Sequence, residues 1–283
     1  MPFINTSLQI NVEANAVLFI FLAVFVIAIL YLSFKTIEIV FVMHKRKPFY
    51  VHFYTVKRQL SQEQGSILKD KFSFYTKLSS KEQRFFEHRI VCFIKDKNFI
   101  GRDGLVVTEE MKILIAATAV MLTFGFRDYY IGLIERIFIY PTEFYSNFNK
   151  KYHQGELNPK LKALVFSWKH FEEGFDIAND NLNLGIHEFT HAIHLNSIRE
   201  RDVSSTIFQD SFKELIEMLS NNENLRQELT TTRYFRDYAY SNHYEFVAVI
   251  IESFIESPKE LLSKFPEVYH KVKQMLNFNF AGY

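Results

Sequence analysis

Residues 185–194 read Gly185-Ile186-His187-Glu188-Phe189-Thr190-His191-Ala192-Ile193-His194. On a helix, His187 and His191 stand one turn apart on one face, where two imidazoles can hold a single zinc, and Glu188 lies beside the position left open on the metal. His-Glu-x-x-His in this arrangement is the outline of a hydrolytic zinc site. Ile186, Phe189, Ala192 and Ile193 surround the polar letters with apolar side chains, so the helix is expected to be buried. Two histidines buried without partners would be costly in desolvation, and coordination of a metal relieves that cost.

Zinc in a hydrolase takes three protein ligands and leaves a fourth position for water. His194 shares a face with His187 and His191, but it is about 10 Å from His187 along an unbroken helix, too far for ligands of one ion. A metzincin would carry glycine at 194 and histidine at 197; the chain has His194 and Ser197, which excludes that class. The third ligand is sought on a second helix, residues 244–254, YEFVAVIIESF. Glu245, Val249 and Glu252 fall along one stripe, so two carboxylates point inward together from an otherwise apolar helix. Buried carboxylates need partners. A zinc and its histidines would supply them, with Glu245 as a metal ligand and Glu252 as an acceptor for a ligand imidazole. Spacing alone does not choose between the two carboxylates.

Composition bounds what surrounds these helices. The chain has 283 residues, 48% of them hydrophobic, enough for a sizeable core in one or two domains. With 31 Phe and 15 Tyr against 9 Gly and 6 Pro, helices are favoured over a turn-rich all-β design. A net charge of +1 offers no basic field, so nucleic acid is not an expected partner. Cys92 is the single cysteine and reads as a small buried hydrophobe. No internal repeat or low-complexity segment interrupts the pattern.

Upstream of the motif, residues 60–78 make a moderately amphipathic helical run, and Ser79-Ser80-Lys81-Glu82 has capping-box spacing ahead of Phe85, Phe86, Ile90, Phe93 and Ile94. Gly101-Arg102-Asp103-Gly104 is a turn that lacks the glycine pattern of a phosphate loop. Thr108 opens a core helix over residues 111–124, where Ala116, Ala117 and Ala119 permit close packing. Two strand signals follow, residues 134–140 and 161–168. The second, LKALVFSW, precedes the motif helix, with a polar Asn179-Asp180-Asn181 cap between them, and is expected to offer a free edge to an extended peptide. Trp168, within it, reads as core.

Residues 16–34, AVLFIFLAVFVIAILYLSF, contain no charge, proline or glycine and would span about 28 Å as a helix, close to the hydrocarbon thickness of a bilayer. A basic leader and a small-residue cleavage site are both missing, so an uncleaved anchor is expected and not a signal peptide. Lys35, Lys45, Arg46, Lys47, Lys57 and Arg58 all follow the span and none precedes it, which places residues 1–15 outside and the rest in the cytoplasm. Residues 35–58 form an interfacial connector, and residues 59–283 the soluble domain. The motif lies about 150 residues beyond the only span, which disfavours cleavage within the bilayer.

The passage LVFSWKHFEEGFDIANDNLNLGIHEFTHAIH, with YAYSNHYEFVAVIIESFIESP after it, resembles the zinc-dependent peptidase family of Mlc titration factor A, whose catalytic core is similar to that of anthrax lethal factor. FIKDKNFIGRDGLVVTEEMKILIAATAVMLTFG and IFIYPTEF extend the resemblance over about residues 59–277; it does not cover the anchor. It implies a mostly helical α+β fold with a zincin-like (gluzincin) core and a small sheet, here preceded by one transmembrane helix. It also implies Zn2+ held by His187, His191 and Glu245, Glu188 as general base, Tyr238 as a hydrogen-bond donor to the oxyanion, and Glu252 supporting a ligand histidine. His194 departs from the aspartate usual in the family. The implied activity is peptide-bond hydrolysis on a peptide or protein substrate, by an enzyme of the inner (cytoplasmic) membrane. The alternative is a membrane-tethered regulatory protein that captures a transcriptional repressor or other protein partner, with a weak or vestigial zinc site.

Overall fold

The computed structural model describes the backbone of residues 3–146, 149–176 and 182–283. The chain forms two compact units, Met1–Phe49 and Tyr50–Tyr283. The first is one helix, α1 (Phe3–Lys45). Within it Asn15–Lys45 is long and apolar enough to cross a membrane, with a hydropathy of 3.0 over its most apolar window and none of that window buried by protein. The helix runs past residue 34 because no glycine or proline interrupts residues 35–45, and Arg46 at φ 51° ends it.

The second unit opens with α2 (Gln62–Lys71), α3 (Ser73–Lys77) and α4 (Ser80–Asp96). Ser61 and Ser79 close capping boxes with Gln64 and Glu82. The run expected as one helix over 60–78 is therefore two. It breaks at Phe72, whose φ of −126° and ψ of 86° leave the helix and bury its ring against Phe74, Phe86 and Phe175. A short strand, β1 (Asn98–Gly101), then leads through the Asp103-Gly104 turn to α5 (Glu109–Leu122). Thr108 accepts the Met111 N–H at 3.2 Å, and α5 is buried on nearly every face. Arg89 of α4 is wholly buried. It donates to the carbonyls of Val51, Thr123, Phe124 and Phe126 and to the Tyr54 hydroxyl, giving the segment that follows α5 a buried donor.

The strands that follow are β2 (Arg136–Tyr140), β3 (Phe144–Ser146), β4 (Lys151–His153), β5 (Gly155–Asn158) and β6 (Ala163–Ser167). β3 and β4 pair only with each other among the described residues. The main sheet has the order β1-β2-β6-β5; the first three strands are parallel and β5 is antiparallel to β6. The register sets Ile137 opposite Leu164 and Ile139 opposite Phe166, four fully buried side chains that form the core face. β6 does not offer the free edge expected of it. β6 is paired on both sides, as its continuous apolar run suits, and the unpaired edge among the described residues belongs to β5.

The remaining elements are α6 (Trp168–Asp176), α7 (Leu184–Arg199), α8 (Val203–Asn221), α9 (Glu223–Thr231), a 3-10 helix (Asp237–Ser241), α10 (His243–Glu256), α11 (Pro258–Lys264) and α12 (Pro266–Met275). α7 packs beneath the sheet through Phe189, whose ring centroid is 5.7 Å from Phe166 and 6.0 Å from Phe93, and it also packs against α5, α8 and α10. Trp168 stacks on Phe171 at 5.6 Å and packs against the core while part-buried. Cys92 is half-buried and not fully enclosed, with its sulfur 3.7 Å from His88 Nε2. The unit is thus a mostly helical α+β fold, with α7 held between the sheet and α10.

Candidate metal centre

α7 begins at Asn183, whose Oδ1 accepts the Ile186 N–H at 3.0 Å while its Nδ2 donates to the Gly174 carbonyl at 2.7 Å. The expected cap at Asn179-Asp180-Asn181 lies outside the described residues. Gly185 leaves room for the Phe171 ring, since a Cβ there would lie 2.6 Å from it. This start aims His187 and His191 away from the core and sinks Ile186, Phe189, Ala192 and Ile193 into it.

α10 delivers the facing carboxylates. Asn242 caps it by accepting the N–H groups of Tyr244 and Glu245 at 2.9 and 3.1 Å. Glu245 Oε2 lies 3.1 Å from His187 Nε2 and 3.4 Å from His191 Nε2, and the two ring nitrogens are 3.0 Å apart. Among the described residues these three are the group of three or more His, Cys, Asp or Glu side chains that could hold a metal ion. Ligand atoms on a tetrahedral zinc with bonds of about 2.0–2.1 Å stand about 3.3 Å apart, so the donor set fits that ion.

Glu252, two turns along α10, is wholly buried. Its Oε1 lies 2.6 Å from His187 Nδ1, and its Oε2 accepts the Asn183 N–H at 3.2 Å. A carboxylate is only an acceptor, so Nδ1 carries a proton, and Nε2 is the ring nitrogen turned toward Glu245 and His191, where a metal would take the place of its proton. Arg236 Nη2 donates to the same Oε1 at 2.6 Å. The sequence reading missed Arg236, which lies in an irregular stretch without periodicity. The available signal was the need of a buried carboxylate for a cation.

Electrostatics follow from this crowding. Burial disfavours a charged His187, but the Glu245 and Glu252 carboxylates outweigh it and lift its pKa to about 10. Burial would raise Glu245; hydrogen bonds with His187 and His191 overcome that and hold it well below the usual carboxylate range. Burial drives the Glu188 carboxyl upward, opposed in part by the two histidines. Tyr238, on the 3-10 helix, has its ring centroid 6.3 Å from His187; burial and the nearby Glu245 push its hydroxyl up to about 12, so it stays a donor near neutrality. His194 is apart from the donor cluster, packed among Phe208, Phe212 and Tyr244, and burial lowers its pKa to about 4.

His187, Glu188, Arg236 and Tyr238 open onto a cleft of about 830 Å³ whose other wall includes Tyr152, His153 and Gly155. The start of β5 is pressed against Glu188, and a Cβ on Gly155 would come within 2.7 Å of it. The strand edge that is unpaired among the described residues, a buried carboxyl and a convergent donor set therefore share one site.

Known proteins share most of this chain. The family described as glucose-regulated metallo-peptidase M90 matches residues 44–277. The uncharacterised protein slr2042 of Synechocystis sp. is 25% identical over 240 residues, covering 77% of this chain and 84% of that protein. Mlc titration factor A of Yersinia pestis (strain Pestoides F) is 23% identical over 207 residues, covering 68% of this chain and 76% of that protein. The protein of the same name from Yersinia pseudotuberculosis serotype O:1b matches to the same extent.

Proposed function

The chain belongs to the glucose-regulated metallo-peptidase M90 family, and from that premise we propose that it is a membrane-anchored zinc peptidase with a gluzincin core. The observation that carries this reading is the approach of His187 Nε2, His191 Nε2 and Glu245 Oε2 to within 3.0–3.4 Å of one another beside a buried glutamate. These three would hold the zinc, which when bound acidifies a water and polarises the scissile carbonyl. Glu188 would take the proton of the attacking water and return it to the leaving amine, from its place at the cleft beside the donor set. Tyr238, protonated near neutrality, would donate to the developing oxyanion. Glu252 would keep His187 in the tautomer and orientation that present Nε2. The edge of β5, unpaired among the described residues, would hold the substrate backbone in extended form beside Glu188.

Residues 16–34 of α1 would form the anchor. The basic residues that follow it would keep the catalytic unit in the cytoplasm, on the inner membrane. A second reading draws on the name Mlc titration factor A carried by the Yersinia relatives: a regulatory protein that captures a protein partner without cleaving it. Glu188 and Tyr238 in the cleft weigh toward hydrolysis, because a purely structural zinc needs neither. Peptide turnover and partner binding, compared between zinc-loaded, chelated and Glu188→Gln protein, separate the two. Turnover that depends on both zinc and Glu188 supports the peptidase; binding without turnover supports the regulator.

A further inference from the structure

Resting on the zinc-peptidase reading, we propose that Arg236 is a positioning residue that fixes the metal-facing imidazole of His187 through Glu252 and, on the same short segment, holds Tyr238 at the cleft. Glu252 is wholly enclosed, and an enclosed carboxylate keeps its geometry only where cations or strong donors compensate its charge. Its partners are His187 Nδ1 at 2.6 Å, the Asn183 N–H at 3.2 Å and Arg236 Nη2 at 2.6 Å. A histidine that ligates a metal is neutral and the Asn183 amide is neutral, so Arg236 is the one cation among these three.

The arrangement is specific. Oε1 is shared by the imidazole and the guanidinium, whose nitrogens lie 3.3 Å apart, while Oε2 is held by the amide of the residue that caps α7. The carboxylate plane is thus fixed from α7, from α10 and from the segment leading into the 3-10 helix. Without the guanidinium the carboxylate loses its countercharge and its hold on Nδ1, and the ring of His187 is free to turn. Tyr238 lies two residues beyond Arg236, so the same ion pair ties the segment bearing the proposed oxyanion donor to the floor of the cleft.

The test uses the full-length chain stripped of metal. Zinc affinity is measured by competition with a chromophoric chelator for wild type, Arg236→Gln and Arg236→Lys, with peptide kcat and KM alongside. Arg236→Gln is expected to weaken zinc binding about 10–100-fold, and Arg236→Lys to recover most of that loss because it restores the charge. Peptide kcat is expected to fall in Arg236→Gln even at saturating zinc, with KM little changed. Unchanged zinc affinity in Arg236→Gln overturns the proposal; so does a variant whose only change is a lower melting temperature of the metal-free protein. Should Arg236→Gln fail to fold, Arg236→Met keeps the aliphatic packing and carries the same expectation. Wild-type protein that binds zinc but turns over no peptide defeats the peptidase reading while the affinity comparison still decides the role of Arg236. Wild-type protein that binds no zinc overturns both.

Discussion

A Cβ placed on Gly155 would lie 2.7 Å from both Cγ and Oε1 of Glu188. The edge strand and the helix carrying the buried carboxyl therefore meet so closely that any larger residue at 155 must push aside Glu188 or the equally near Leu184 Cδ1, and Glu188 has little room to retreat because it is itself buried. Gly155→Ala is expected to displace the Glu188 carboxyl and lower peptide kcat at least about tenfold, given the sensitivity of catalysis to sub-ångström misplacement. Zinc content should stay at the wild-type level, because the ligand atoms are not those displaced. Steady-state kinetics with metal analysis checks this; wild-type kcat in the variant would contradict it.

Arg89 should be costly to remove, because it is wholly buried and every hydrogen bond it makes is to protein. Its replacement by leucine leaves the carbonyls of Phe124 and Phe126 without their buried donor, while that of Thr123 keeps the Phe126 N–H, and unsatisfied buried groups cost about 1–3 kcal/mol each. Partial rearrangement would reduce the total, so a loss of about 3–5 kcal/mol is expected. Denaturant unfolding measures it, and a loss below about 1 kcal/mol would show that water or another donor replaces the guanidinium.

Acid stability should carry the signature of His52. Burial, with Arg89 and Lys81 nearby, lowers its pKa from 6.5 to about 3. Between those values the unfolded chain binds a proton that the folded chain does not. This contribution is therefore fully present above pH 6.5 and is lost as the pH falls toward 3, by up to about 1.4 kcal/mol per pH unit. His52→Phe retains a ring against Phe85, now 4.6 Å away, and should flatten the decline over that range. Unfolding curves at pH 4, 5, 6 and 7 compare the slopes, and parallel slopes for wild type and variant would refute the assignment.

Membrane orientation gives a separate test. Protease added to the cytoplasmic side of inverted vesicles should digest the unit Tyr50–Tyr283, and protease added to intact spheroplasts should spare it. The opposite pattern would reverse the orientation drawn from Lys35, Lys45, Arg46 and Lys47.

Much of the local structure was legible in the chain because it depends on neighbours in sequence. The Ser79 and Thr108 caps, the strand expected at 134–140 and found at 136–140, and the shared stripe of Glu245 and Glu252 all follow from short-range spacing. What was not legible depends on distant partners. β5 reads Gly-Glu-Leu-Asn, with no strand pattern of its own, and takes its form from pairing with β6; the free edge was therefore expected one strand too far inward. Phe72 breaks a helical run because its ring is drawn into an aromatic cluster. Arg236 lies in an irregular segment, and its importance emerges only once Glu252, sixteen residues later, is seen to be enclosed.

Comparison of wild type with Glu188→Gln decides whether His187, His191 and Glu245 hold one zinc beside a Glu188 that acts as general base. Zinc stoichiometry and peptide turnover are measured on the same purified full-length samples. One zinc per chain is expected in both proteins, with turnover about 10²–10⁴-fold lower in the variant. Wild-type turnover in Glu188→Gln, or wild-type protein that takes up no zinc, would contradict it.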